Sequence, residues 1–561
     1  MNKKSSGFFL AFILLLSLAL NIWGVKWGLP SKERVELLPD LTTLKTLPED
    51  SNLISDKTKP LVGHVSSSET YPRIVRRFLL YTNHPDEQLT IMAIARMSPH
   101  KLDFNPHFFQ YGATFLYPVA GLFKITSLIG YTKLSSSLDY FLTHPDAISR
   151  FYVVGRIAVA LSALFVVIAI YLVSSFIRNT ASGLLAGALW VVLPSTIIWA
   201  HTLKPHMYGV FLALISLYYA VRILKEGGIK NHCLAGIFAG LATGAAINYT
   251  LIVIPYFLAS LLYSLENKEK PFKGGLVYCF FFLAAFFIPN YYYLLSFRET
   301  LSEFRVLSGM WGFVPDLRSW GDYLHTIKEV LGLPIALVMI GGFFYSVFRA
   351  VSGKDKIHIL LSVTAGIYFF FIGSVAGSHP GDFGVLRLSL LLIAILVIMA
   401  SDFVMYMLQM TQDMRVKPFL IILVFAMALY TLGKAVVYDL NFSNDATPYS
   451  TRIVAGAWIN KHIPAGSSIR LWASPAPFNS PPFKFSKYNL ILDSSQKADY
   501  LITSYEPVWS KDRQDYVLLK IFEPISRLFG VKIIRPFYFS NHRVLVFVRK
   551  DLYSRGKVAT D

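Results

Sequence analysis

What constrains this chain most is the recurrence of long, uninterrupted apolar runs. They are centred near residues 164, 189, 215, 240, 256, 285, 339, 367, 394 and 427. With a first run from Phe8 to about Trp27, they make about eleven segments able to cross a bilayer core of about 30 Å. A soluble core has no room for so many. Composition agrees: 54% of the 561 residues are hydrophobic and 16% charged, against about a quarter charged in soluble proteins. The expected class is an all-α polytopic membrane protein.

The first run follows Lys3 and Lys4 and has no clear small-residue cleavage site, so it reads as an uncleaved first transmembrane helix. The net charge of +19 would suggest nucleic acid in a soluble protein. Here the basic residues sit in short loops beside apolar runs, where they orient helices and meet anionic lipid head groups. Lys225 and Lys230, Lys268, Lys270 and Lys273, Arg349, Lys354 and Lys356, and Arg415 and Lys417 fall on the side of Lys3 and Lys4. That side is therefore expected to be cytoplasmic, in a cell (plasma or inner) membrane. Residues 29–150, 298–330, 378–385 and everything after about residue 439 are expected outside. Residues 108–129 are apolar enough to span, but a crossing there would invert the Lys-rich loops, so they are expected to form an amphipathic or re-entrant helix.

The expected organisation is a membrane module over residues 1–440, whose first extracytoplasmic loop (29–150) carries juxtamembrane helices, and an α/β soluble domain over 441–561. In that tail Thr451 to His462 has helical periodicity, and Ser468 to Trp472, Tyr500 to Thr503 and Val544 to Val548 read as strands. Two cysteines, Cys233 and Cys279, give neither a disulfide framework nor a Cys-based metal site.

The most informative polar segment is Asn83-His84-Pro85-Asp86-Glu87, followed by QLTIMAIARM. Asn83 or His84 suits a helix cap, Pro85 the first turn, and the two acids the positive end of the helix dipole. A carboxylate fixed there at the membrane surface can also act as a general base. An acidic pair soon after the first span resembles the GT-C glycosyltransferase superfamily, which includes protein O-mannosyltransferases and the transferase that adds aminoarabinose to lipid A. The HPDE wording, followed by FNPHFFQYG at Phe104 to Gly112, is similar to the dolichyl-phosphate-mannose mannosyltransferase-like branch. So are Arg156 in GRIAVALSALFVV, the AGALWVVLPSTIIWAH and LAGIFAGLATGAAINYT helices, and three tail segments, AGAWI at Ala455 to Ile459, IPAGS at Ile463 to Ser467 and ADYLI at Ala498 to Ile502.

The resemblance implies a GT-C fold and inverting transfer of a sugar (mannose or another hexose or pentose) from a polyprenyl-phosphate donor to an acceptor hydroxyl on protein, lipid or glycan. Asp86 would be the base, and Glu87 would position the acceptor or a cation. His84, Asn105, His107 and Tyr111 would position the acceptor. The departing phosphate needs fixed positive charge, for which the candidates are Arg73, Arg76, Arg77, Arg156, Lys204 with His206, and His379 with Arg387. Relatives often carry an Asp at the outer end of the fourth helix, where this chain reads His201-Thr-Leu-Lys204-Pro-His206. No metal site is expected; a divalent cation stays open as a cofactor. The expected partners are the lipid-linked donor, its acceptor and membrane lipids, without nucleic acid. The alternative is a transporter or lipid-linked glycan flippase, which would place ionisable residues near the bilayer midplane in related halves.

Overall fold

The computed structural model describes residues 3–38, 71–268, 272–411, 415–471, 473–492, 496–504, 514–534, 537 and 539–554. Trp472, at the end of one expected strand, and Lys270, in one basic loop, lie outside them. Each of the eleven expected places holds a helix. Among the described residues, eight helices are long and apolar enough to cross a membrane, and a ninth span results if Thr180–Val191 and Pro194–Ala200, bent by 64°, are taken together. The bend falls at Leu193-Pro194, where proline cannot continue the helical hydrogen bonds. Phe272–Phe287 and Ala113–Leu128 are shorter apolar helices.

The first helix is Lys3–Ile22 and stops before the expected Trp27. Gly24 and Gly28 adopt φ of 84° and 57°, a left-handed backbone that ends the helix and leaves Trp27 fully buried in a turn.

The chain divides into two compact units. The first comprises Met1–Ile22, Ser98–Ala120 and Ile157–Val436. Its helices Ile229–Ala245 and Phe272–Phe287 pack closely, because a Cβ at Gly236 would come 2.5 Å from the Tyr278 carbonyl oxygen. Small residues that let backbones approach are the means by which helices associate in lipid.

The second unit comprises Trp23–Met97, Gly121–Arg156 and Val437–Asp561. It holds the short helices Tyr71–Leu80 and Glu87–Arg96, the helix Thr451–His462, and the strands β1 (Ser468–Leu471), β2 (Asn489–Ile491), β3 (Tyr500–Thr503), β4 (Tyr516–Phe522), β5 (Arg527–Leu528), β6 (Val531–Lys532) and β7 (Val544–Arg549). The main sheet has the order β2-β1-β3-β7-β4. β1 is parallel to β2 and β3, and β7 runs antiparallel between β3 and β4, with Tyr500 opposite Val548. Val544, Leu545, Val546 and Val548 of β7 are buried, so both faces of this central strand are covered. The α/β tail expected from the sequence is thus present.

Candidate active site

In the second unit the acidic segment is built as a tight turn followed by a helix. Thr82 and His84 close the turn: the His84 N–H donates to Thr82 Oγ1 at 3.2 Å, and the Asp86 N–H donates to His84 Nδ1 at 3.1 Å. The helix starts at Glu87, not after Asn83 or His84, and Asp86 occupies the N-cap position. Asp86 makes no side-chain cap bond and is half-buried.

Glu87 is the opposite case. It is fully buried and ion-paired to Arg156, itself 0% exposed. Arg156 Nε donates to Glu87 Oε1 at 2.8 Å and Nη2 to Oε2 at 2.6 Å, and the Thr82 hydroxyl adds a 2.6 Å bond to Oε2. Arg156 Nη1 donates to the carbonyls of Val25 (2.8 Å) and Trp27 (2.7 Å), and the guanidinium lies over the Trp27 indole at 4.6 Å. Burial alone would raise the Glu87 carboxyl. The Arg156 charge and hydrogen bonds, with His84 and Thr82, hold it below the usual range. Arg156 thus clamps Glu87 to the turn that follows the first span.

Of the other arginines in this unit, Arg73 is exposed, Arg76 half-buried and Arg77 buried. Burial lowers Arg76, and pushes Arg77 down to about 10. Arg77 Nη1 donates to the Pro475 carbonyl at 2.8 Å. Three residues that the sequence did not single out complete the surroundings of the turn: Arg34, Asp445 and Arg452, all buried. Nothing in the local sequence ties them to the turn, because Asn83 lies 49 positions from Arg34 and 362 from Asp445.

In the first unit the other candidates fall into two groups. One consists of basic side chains set against aromatic rings. Lys204 Nζ lies 5.8 Å from the Tyr111 ring centre, and His206 meets Trp199 edge-on at 6.4 Å. Arg387 lies over Trp199 (5.8 Å) and Trp311 (5.3 Å), and Trp311 contacts His379 at 4.6 Å. Arg387 is half-buried and donates to the Gly384 carbonyl at 2.9 Å. Trp199 and Trp311, which the sequence did not single out, thus join His206, Arg387 and His379 in one row, and Lys204 meets Tyr111 as a separate pair. His201 is fully buried, and its Nδ1 lies 2.8 Å from the Ile197 carbonyl oxygen.

The second group fixes the segment after Ser98. Asn105 Nδ2 donates to Ser296 Oγ (2.9 Å), its Oδ1 accepts from the His107 N–H (3.0 Å), and His107 Nδ1 lies 3.0 Å from Glu299. The Phe109 N–H donates to the buried Glu303 at 2.7 Å. Among the described residues no group of three or more His, Cys, Asp or Glu side chains could hold a metal ion.

No curated protein matches this sequence. In structure the chain is similar to ArnT from Cupriavidus metallidurans bound to undecaprenyl phosphate, with 11% identity, 98% of each chain covered and a TM-score of 0.43. It is also similar to the oligosaccharyltransferase of Archaeoglobus fulgidus in the apo form, with 12% identity, 87% of this chain and 65% of that chain covered, and a TM-score of 0.44. Residues 149–293, which include Arg156 and Lys204, match the model of the dolichyl-phosphate-mannose-protein mannosyltransferase family, the one the sequence motifs resemble.

Proposed function

We propose that this chain is an integral membrane glycosyltransferase that moves a sugar from a polyprenyl-phosphate donor to an acceptor hydroxyl on the extracytoplasmic face. The observation that carries the reading is the division of labour within the acidic pair. Glu87 is buried and committed to Arg156, while Asp86, one residue earlier, is half-exposed at the head of the helix. The family match over residues 149–293 supports the same chemistry.

In the proposed reaction Asp86 takes the proton of the acceptor hydroxyl. The acceptor oxygen attacks the anomeric carbon, the bond from that carbon to the phosphate oxygen breaks, and polyprenyl phosphate leaves with the electron pair and inverted stereochemistry in the product. Glu87 and Arg156 hold the helix that presents Asp86. Lys204 and Arg387 are assigned to the donor phosphate, and Arg73 and Arg76 to anionic groups at the membrane surface.

The test is transfer by purified protein from labelled polyprenyl phosphates carrying mannose, other hexoses or a pentose to a membrane extract. Asp86→Asn is nearly isosteric and should lower transfer by about 10²- to 10⁴-fold, the usual contribution of a general base. Full activity in that variant would remove Asp86 from the mechanism.

A further inference from the structure

The turn that carries Asp86 is held from behind by residues distant in sequence. Asn83 is the point of attachment, and it is buried. Its side-chain carbonyl accepts from Arg34 Nη2 at 2.7 Å, and its side-chain amide donates to Asp445 Oδ2 at 2.9 Å. The Asn83 backbone N–H donates to the Gly28 carbonyl at 2.9 Å, and the Gly28 N–H donates to the Asp445 carbonyl at 3.3 Å. Arg34 spans the turn: it also donates to the carbonyls of Gly28 (2.9 Å) and Tyr81 (2.8 Å). Asp445 is fixed in turn by the Ser450 hydroxyl at 2.6 Å and by Arg452 Nη1 at 3.6 Å. Gly28 leaves no slack, since a Cβ there would lie 2.6 Å from the Asn83 Cβ. Asn83 thus has its amide, its carbonyl and its backbone N–H each engaged, three residues before Asp86.

We propose that Arg34, Asn83 and Asp445 are positioning residues for the Asp86 carboxylate, a buried relay through which residues that lie, in sequence, on either side of the long membrane module set where the base stands. The proposal rests on the assignment of Asp86 as base. Its physical ground is that a base must lie within hydrogen-bond reach of the proton it takes, and that misplacement by about 1 Å from a remote change can cost about 10²-fold in rate. Asn83 and Asp445 share the side-chain bond between them, so removal of either partner should release the same freedom.

The experiment is a double-mutant cycle in the full-length protein. Asn83→Ala and Asp445→Ala should each lower kcat by about 10- to 100-fold while donor KM changes by less than about threefold. The double variant should be no slower than the worse single one, because coupled residues are non-additive. Asp445→Asn, which keeps an acceptor for the Asn83 amide, should recover much of the kcat lost in Asp445→Ala. Additive losses, or losses confined to KM, would overturn the relay. A second arm does not depend on turnover. In a protein with Cys233 and Cys279 replaced and Asp86→Cys introduced, alkylation at position 86 should change by about tenfold or more when Asn83→Ala or Asp445→Ala is added. An unchanged rate in both would overturn the proposal even if wild type transferred none of the sugars offered, whereas wild-type inactivity with a changed rate would overturn the transferase reading and leave the relay standing as geometry.

Discussion

Removing Arg156 should be among the most damaging single changes to the stability of this protein. In Arg156→Met the Glu87 carboxylate loses two hydrogen bonds, of 2.8 and 2.6 Å, and its neutralising charge, and keeps the Thr82 hydroxyl at 2.6 Å. The group is 0% exposed, so water cannot replace what is lost. Breaking a buried ion pair from one side costs about 3–5 kcal/mol, which is between about 10²- and 10⁴-fold in the folded-to-unfolded ratio. The reverse change is milder. In Glu87→Leu the guanidinium still donates to the Val25 and Trp27 carbonyls and still lies over the Trp27 indole, so the expected cost is about 1.5–3 kcal/mol, that of hydrogen bonds to a charged group.

The double variant Glu87→Leu/Arg156→Met leaves no isolated charge, and should be more stable than Arg156→Met alone. The assay is unfolding of the purified protein in mixed micelles by SDS titration, followed by tryptophan fluorescence, for the wild type, both single variants and the double. The cycle should return a coupling energy of about 2–3 kcal/mol or more, the upper part of the range for residues in contact. If Arg156→Met costs less than about 1 kcal/mol, or if the two single costs add, then the pair is not a buried clamp and the account of the turn is wrong.

Two other expectations follow, one from the ion pair and one from the Arg387 cluster. Because Glu87 is held below the usual carboxylate range, the unfolded chain binds more protons than the native one just below pH 4.5, so the pair's contribution is complete above that pH and is lost as pH falls through the native value. Wild-type stability, measured by SDS titration between pH 3 and 6, should drop on acidification more steeply than that of Glu87→Gln, and parallel profiles would contradict it. Arg387→Gln removes a half-buried cation flanked by Trp199 and Trp311, and should lower kcat/KM for the polyprenyl-phosphate donor by about 10²- to 10³-fold if the charge stabilises the departing phosphate, with little change in unfolding; an unchanged kcat/KM in the transfer assay would remove Arg387 from the donor site.

How far the sequence reveals these features depends on the range of the interaction that fixes each one. The helices at all eleven expected places and the helix Thr451–His462 were legible because apolar length and 3.6-residue periodicity are properties of the local chain. Strand β3, Tyr500–Thr503, was legible for the same reason. The start of the helix after Pro85 was not. Asn83 and His84 are good caps in isolation, but Asn83 spends its side chain on Arg34 and Asp445, and His84 Nδ1 accepts from Asp86, so the helix starts at Glu87. Equally, Asp86 and Glu87 look interchangeable in the sequence. What separates them is Arg156, 69 positions from Glu87. Helix geometry sharpens that distinction. Successive residues turn by about 100° on a helix, so two adjacent carboxylates cannot both face the same guanidinium. Glu87, the first residue of the helix, is the one that meets Arg156. The acidic pair thus divides by burial, with Glu87 inside the ion pair and Asp86 half-buried one residue before it.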